Sequence, residues 1–426
     1  MIRVRSSLWP LPHVLLVPAA AIALVVLFST WSMMPWPYPR WGQTSAQWHQ
    51  QFAWAGPIAG AAACYYAVRV NTADRIWSQP RAPRLGSAAV GRHLTLLIAW
   101  FVGAYALALL PLTLAAAVRG AIGSPAPLVI LSGVLAMTAA IGLGYVLGTL
   151  VHSMVIVPIT ALALYALFVL SNAGADTFAP VAPVLYLEPQ LGQTESTPLV
   201  VFRVALFLLL TGSTAALAAT VLHRRSSGQG RNHALRAADI TLYAIAPVAL
   251  IAVALANQPA LFTVEPEPAQ VCGEARGMTY CVHAANEPQL PALIAAFDPV
   301  FARYGTEPLN IQAVWDESLV LGGELRTAAA GSTVIIPLRA DGVIDAVPSG
   351  VIESLTGVRA CMTAPATEQS GDLTTVQLDL AAYLTGGSPP SGTFAGMSER
   401  QVQDWIRGHQ RQLSNCTLTL RDVPRA

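Results

Sequence analysis

The chain contains no lysine: every one of its 24 basic residues is an arginine. A phosphate-binding P-loop sets a lysine amine at the β and γ phosphates, so the chain has no standard loop of that kind. A Schiff base to retinal or to pyridoxal phosphate needs the same amine and is excluded with it. Lysine codons are AT-rich, and together with the abundance of alanine the bias reads as the mark of a GC-rich genome. Catalytic signatures are missing too. There is no HExxH, no GxSxG, no acid pair spaced for glycoside cleavage, and no CxxC or HxxxH spacing around the five cysteines. The chain is therefore read as a non-enzyme that needs neither cofactor nor metal.

Long apolar runs are what the sequence does have. A hydrocarbon core of about 30 Å takes roughly 20 apolar residues in a helix, because backbone groups cannot stay unpaired in lipid. Stretches of that kind lie near Leu11 to Trp31, Gln51 to Arg69, Leu94 to Val118, Leu128 to Leu150, Ser153 to Leu170, Leu199 to Leu222 and Ile240 to Ala256. The first is read as a retained anchor, since the bulky Phe28 to Met34 stretch after it offers no small-residue cleavage site. The fold expected is an α-helical polytopic membrane domain of about seven transmembrane helices over residues 1–256, followed by an α+β extracytoplasmic domain over 257–426.

Basic residues are retained on the cytoplasmic side, which sets the orientation. With the N-terminus inside, the cytoplasmic segments hold Arg3, Arg5, Arg69, Arg75, Arg81, Arg84, Arg92, Arg224, Arg225, Arg231 and Arg236, whereas the short outer loops hold only Arg40 and Arg119. Arg203, a turn inside the sixth span, is expected to snorkel outward. Cysteine use agrees: Cys64 lies in the second span, and Cys272, Cys281, Cys361 and Cys416 all fall in the tail, as in a domain that meets an oxidising exterior. Four cysteines allow three pairings. Cys272 with Cys281 is favoured by proximity, leaving Cys361 with Cys416. Charge divides along the same line, with fourteen arginines against five acids up to residue 256 and ten against eighteen beyond it. An acidic exterior part argues against nucleic acid as a partner there.

Inside the spans there is no central carboxylate. Asp74 and Asp239 sit at cytoplasmic edges, and Asp176 and Glu188 in an outer loop, so no buried acid is placed to carry protons or sodium. Energy for uphill movement would then come from a partner. His93 and His152, at cytoplasmic span ends, read as membrane-interface residues, and Met33 to Trp41 as an aromatic belt stiffened by prolines. Gly56 with Gly60, and Gly144 with Gly148, share helix faces that allow close approach and offer a surface for a homodimer or heterodimer.

In the tail, Met278 to His283 and Thr333 to Leu338 read as strands. Leu290 to Tyr304 repeats at helical spacing, with Gly305 as stop and Pro299 as a kink. Ser398 with Gln401 forms a capping box for a second helix whose apolar face carries Val402, Trp405, Ile406 and Leu413. His283 beside Cys281, and Trp315-Asp316-Glu317, are the spots that suggest chemistry, and both are read first as structural.

Two connectors carry a family resemblance. Val70 to Arg92 contains Thr72-Ala73-Asp74-Arg75-Ile76-Trp77, a short capped turn before Pro80, and Ser171 to Pro198 contains Phe178-Ala179-Pro180-Val181-Ala182-Pro183. With Gly142 to Leu167, these make the first six spans resemble a permease of the type 2 class of ATP-binding-cassette (ABC) exporters. Tyr280 to Pro288 also resembles a segment of permease-like proteins of high-GC Gram-positive bacteria. The resemblance implies a multi-pass permease in the cell membrane. A separate cytosolic ABC ATPase would dock on Arg75, Ile76 and Trp77, and the exterior domain would handle the exported molecule. The rival reading is a membrane-anchored extracytoplasmic binding or signalling protein without transport activity, whose spans only anchor and assemble it.

Overall fold

The computed structural model describes residues 12–72, 83–173, 178–182, 188–226, 233–265, 267–321, 333–344, 349–358, 361, 370–386, 392–419 and 421–424. These form two compact units, Met1–Thr263 and Val264–Ala426. The division falls after Thr263 rather than after Ala256. Beyond the last long helix the chain returns as a strand, Phe262–Val264, to pair with Gln193–Glu195.

The first unit is helical. In chain order its helices are α1 (Pro12–Thr30), α2 (Trp41–Gln50), α3 (Phe52–Val70), α4 (Pro83–Val118), α5 (Pro127–Val151), α6 (Ile156–Ala173), α7 (Thr197–Ser226) and α8 (His233–Asn257). Among the described residues, α1, α4, α5, α7 and α8 are long and apolar enough to cross a membrane. Outward-facing apolar residues on three of them, Leu24, Phe28, Leu107, Leu242 and Ile245, are all more than 60% exposed. Patches of that kind are rare on proteins that face only water. These helices are compatible with a multi-pass membrane protein. Helices also stand at the other two expected positions, with a different character. α6 is short, and α3 is built largely of alanine and glycine, with most of its length enclosed by its neighbours. A helix surrounded by protein has no need of a lipid-facing surface, which explains its modest hydrophobicity.

α3 and α5 form the centre of this unit, and glycine sets their separation. A Cβ on Gly144 would stand 1.9 Å from the Gly60 carbonyl oxygen, and one on Gly148 would stand 2.3 Å from that of Cys64. On its other side Gly60 meets Leu164 of α6. The glycine faces read as a possible subunit interface are thus occupied within the chain, and a second copy would have to use other surfaces.

The second unit is α+β. Its strands β3 (Gln270–Ala275), β4 (Met278–His283), β5 (Ala313–Asp316) and β6 (Thr333–Ile336) form one sheet in that order; β3 runs antiparallel to β4, and β4, β5 and β6 run parallel. Two shorter strands pair with each other, β1 (Gln193–Glu195) and β2 (Phe262–Val264). Helices α9 (Leu290–Tyr304), α10 (Ser349–Thr356), α11 (Ser370–Leu384) and α12 (Glu399–Asn415) complete the unit. Tyr280, Val282 and Val314 share one core with Phe297, Phe301, Leu380 and Ile406 of these helices. α9 ends at Gly305 in the left-handed conformation, and α12 starts at a complete Ser398/Gln401 capping box.

Candidate functional site

α2 is short, with a strongly polar sequence, yet Thr44, Ser45, Gln47, His49 and Gln50 are all buried. Buried polar groups must find partners. Those of α2 come from residues far along the chain. His49 Nε2 lies 2.5 Å from Glu195 Oε1 at the end of β1, and Arg203, in the second turn of α7, sets Nη1 3.4 Å from Glu195 Oε2. Arg203 Nη2 also donates to the Ala179 carbonyl at 2.7 Å. All three side chains are at least nine-tenths enclosed. Arg203 therefore turns inward to an ion pair and does not snorkel outward, because Glu195 and a carbonyl offer it stronger partners than the interface does.

A second acid joins the same polar layer. Gln47 Nε2 donates to Glu188 Oε1, while Gln51 Nε2 donates to Gln47 Oε1 at 2.7 Å and Ser29 Oγ of α1 donates to Gln51 Oε1. Burial pushes the Glu188 carboxyl up to about 7 against the opposing pull of Gln47, Arg40 and Gln43. Burial alone would raise Glu195 as well, but His49 and Arg203 outweigh it and hold that carboxyl below its ordinary value. No spanning helix supplies either acid, but the Glu195 carboxylate is enclosed and Glu188 is half-buried, so the outer loop reaches into the helical unit. Both acids belong to the loop before α7. A cleft beside Glu195 is lined by His49, Ala179, Glu195, Leu199, Arg203, Leu261 and Phe262.

The opposite end of α3 carries another polar group. Asn71 donates to Thr149 Oγ1 at 2.8 Å, and His93 Nδ1 lies 2.8 Å from the Tyr145 hydroxyl. Arg225 of α7 donates to the Thr149 carbonyl and sets Nη1 2.5 Å from His152 Nε2. His93 is an interior residue packed against Tyr66 and Tyr145 rather than an interfacial one, since its ring replaces water with a phenol partner. Arg75, Ile76 and Trp77, the expected docking residues, lie outside the described residues.

In the second unit, Cys272 and Cys281 are directly opposed on β3 and β4, and their sulphurs sit at disulfide distance; those of Cys361 and Cys416 do so as well. Cys64 is free and buried. The two spots singled out in the tail turn out to be neighbours. Cys281 is in register with Trp315, and Asp316 accepts from Asn286 Nδ2 at 2.6 Å and caps the Ser318 amide at 3.2 Å. His283 Nδ1 accepts from the Ala285 amide at 3.1 Å. These contacts close turns at the ends of β4 and β5. Among the described residues no group of His, Cys, Asp and Glu is arranged to hold a metal ion.

The residues that build the α2 cluster were not visible in the sequence as a site. The one local signal was the run of glutamines from Gln43 to Gln51 around His49, unusual beside an apolar span. No family model, no curated protein and no solved structure matches the chain.

Proposed function

We propose that the chain is the membrane-spanning permease subunit of an ABC-type exporter, working with a separate cytosolic ATPase. Seven helices, α1 and α3 to α8, would span the bilayer, with the second unit on the outer side. The observation that carries this reading is the interior of the helical unit. α3, about 28 Å long for its 19 residues, runs through the centre with an ionisable cluster at one end and a hydrogen-bonded polar group at the other. Ionisable groups inside membrane bundles are costly and mark pathways for ions or substrates. A bundle that only anchored an exterior domain would have no need of them. The absence of lysine adds to this, because ATP would have to be hydrolysed by another chain.

The test is capture of an ATPase. The tagged full chain, purified from its native host in mild detergent, is expected to bring down a nucleotide-hydrolysing subunit. Trp77→Ala is expected to lose that subunit while expression and insertion stay normal, since a large apolar side chain between arginines suits a docking pocket. If the wild-type chain captures no ATPase, the permease reading fails and the anchored-module reading replaces it.

A further inference from the structure

We propose that the polar layer formed by Glu188, His49 and Glu195 is a reversible proton-binding site of the membrane unit, with Glu188 as the acceptor. The geometry gives the two acids different tasks. Glu195 has a partner on each oxygen, the His49 ring at 2.5 Å and the Arg203 guanidinium at 3.4 Å, so its negative charge is compensated by Arg203 where it stands. Glu188 instead takes its hydrogen bonds from neutral amides, those of Gln47 and Gln43. A half-buried carboxylate held by neutral amides gains from taking up a proton, whereas one paired with a buried arginine gains little. The charged groups acting on these acids from neighbouring elements are Arg40 on Glu188, and His49 of α2 and Arg203 of α7 on Glu195.

Water has a way to approach the layer. The cleft beside Glu195 has room for a water-sized molecule, and two buried polar atoms of its lining residues, His49 Nδ1 and Arg203 Nε, make no hydrogen bond to protein. The step is simple: a proton from water adds to a Glu188 carboxylate oxygen, one O–H bond forms, and the side chain becomes neutral and gains a donor. The consequence travels along a chain of amides. Gln47 holds Glu188 and Gln51 together, and Gln51 in turn receives Ser29 of α1, so a change in what Glu188 donates or accepts reorients side chains between the loop before α7, α2, α3 and α1.

This site stands apart from the permease reading, since it concerns the purified chain without any ATPase. Infrared difference spectra of the full chain in detergent, taken between about pH 5 and about pH 8, are expected to show a protonated-carboxyl band. The band should grow as the pH falls through about 7 and vanish in Glu188→Gln. Should Glu188→Gln fail to fold, Gln47→Leu serves instead: it removes an amide that favours the charged form and is expected to move the midpoint to higher pH. A wild-type chain with no such band overturns the site. So does a band that persists in folded Glu188→Gln, or a midpoint unmoved by Gln47→Leu. Failure here with ATPase capture intact sinks the proton site alone.

Discussion

Gly144 of α5 rests against the backbone of Gly60 in α3, so closely that a methyl group on Gly144 would stand 1.9 Å from the Gly60 carbonyl oxygen and 2.9 Å from its Cα. The atoms in the way are backbone, which cannot swing aside. Gly144→Ala is therefore expected to destabilise the helical unit by about 1–3 kcal/mol or more, through forced separation of its two central helices. Gly103→Ala is the control: that glycine has nothing within 4 Å of the added carbon and sits inside a helix, where alanine is preferred by roughly 1 kcal/mol. Thermal melts in detergent should show a large drop for the first and none for the second. Equal melting temperatures would contradict the packing.

Glu195 is the charge on which the α2 cluster depends. Glu195→Gln keeps the shape but leaves Arg203 buried without its counter-ion, a loss on the order of 3–5 kcal/mol. His49→Ala removes a partner that is charged only when protonated and should cost less. The two acids also respond to pH in opposite senses. Because Glu195 is held below its ordinary value, its stabilisation is present above about 4.5 and is lost as the pH falls through its folded value. Because Glu188 is raised, folding favours its protonated form, and stability drains away as the pH climbs from about 4.5 to about 7. Melting temperatures across that window should fall more steeply for wild type than for Glu188→Gln. Parallel slopes would count against the assignment.

The two cysteine pairs are separated by 9 and 55 residues. A cross-link restricts the unfolded chain more when it closes a longer loop, which gives roughly 3 kcal/mol for Cys272 with Cys281 and roughly 4 kcal/mol for Cys361 with Cys416. Mass spectrometry of protein isolated without reductant should find these four oxidised and Cys64 alkylatable only after unfolding. Replacing Cys361 and Cys416 by serine should lower the melting temperature more than replacing the first pair. Four free thiols would remove the argument for an oxidising exterior.

Orientation has its own measurement. The arginine distribution predicts a cytoplasmic loop after α7 and an exterior chain end. A reporter active only in the cytoplasm should work when fused after Arg236 and stay silent when fused after Ala426. The reverse result would turn the whole topology over.

Helices were legible wherever a local pattern specifies them. Apolar runs of sufficient length mark α1, α4, α5, α7 and α8, because lipid demands both an apolar surface and internally satisfied backbone. The Ser398/Gln401 box and Gly305 mark the start of α12 and the end of α9, because helix termini are settled by adjacent residues. Strands were harder. β4 stood out through its β-branched and aromatic residues, whereas β3, with Gly273 and alternating exposure, and the four-residue β5 are defined chiefly by their neighbours in the sheet. α2 went unread because its buried residues are polar, the opposite of the usual signal for an interior helix.

By itself, then, the sequence determined the apolar helices, their end signals, the separation of a basic helical part from an acidic cysteine-bearing part, and the exclusion of lysine chemistry. The tertiary structure alone decided that α3 is enclosed, that the glycine faces meet within one chain, and that Arg203 turns inward. It alone brought His49 onto Glu195 across 146 residues. The reason is physical. Backbone hydrogen bonding and helix burial are local demands that neighbouring residues must meet and therefore record, whereas a buried charge needs one partner from anywhere in the chain, and only the packed fold says which.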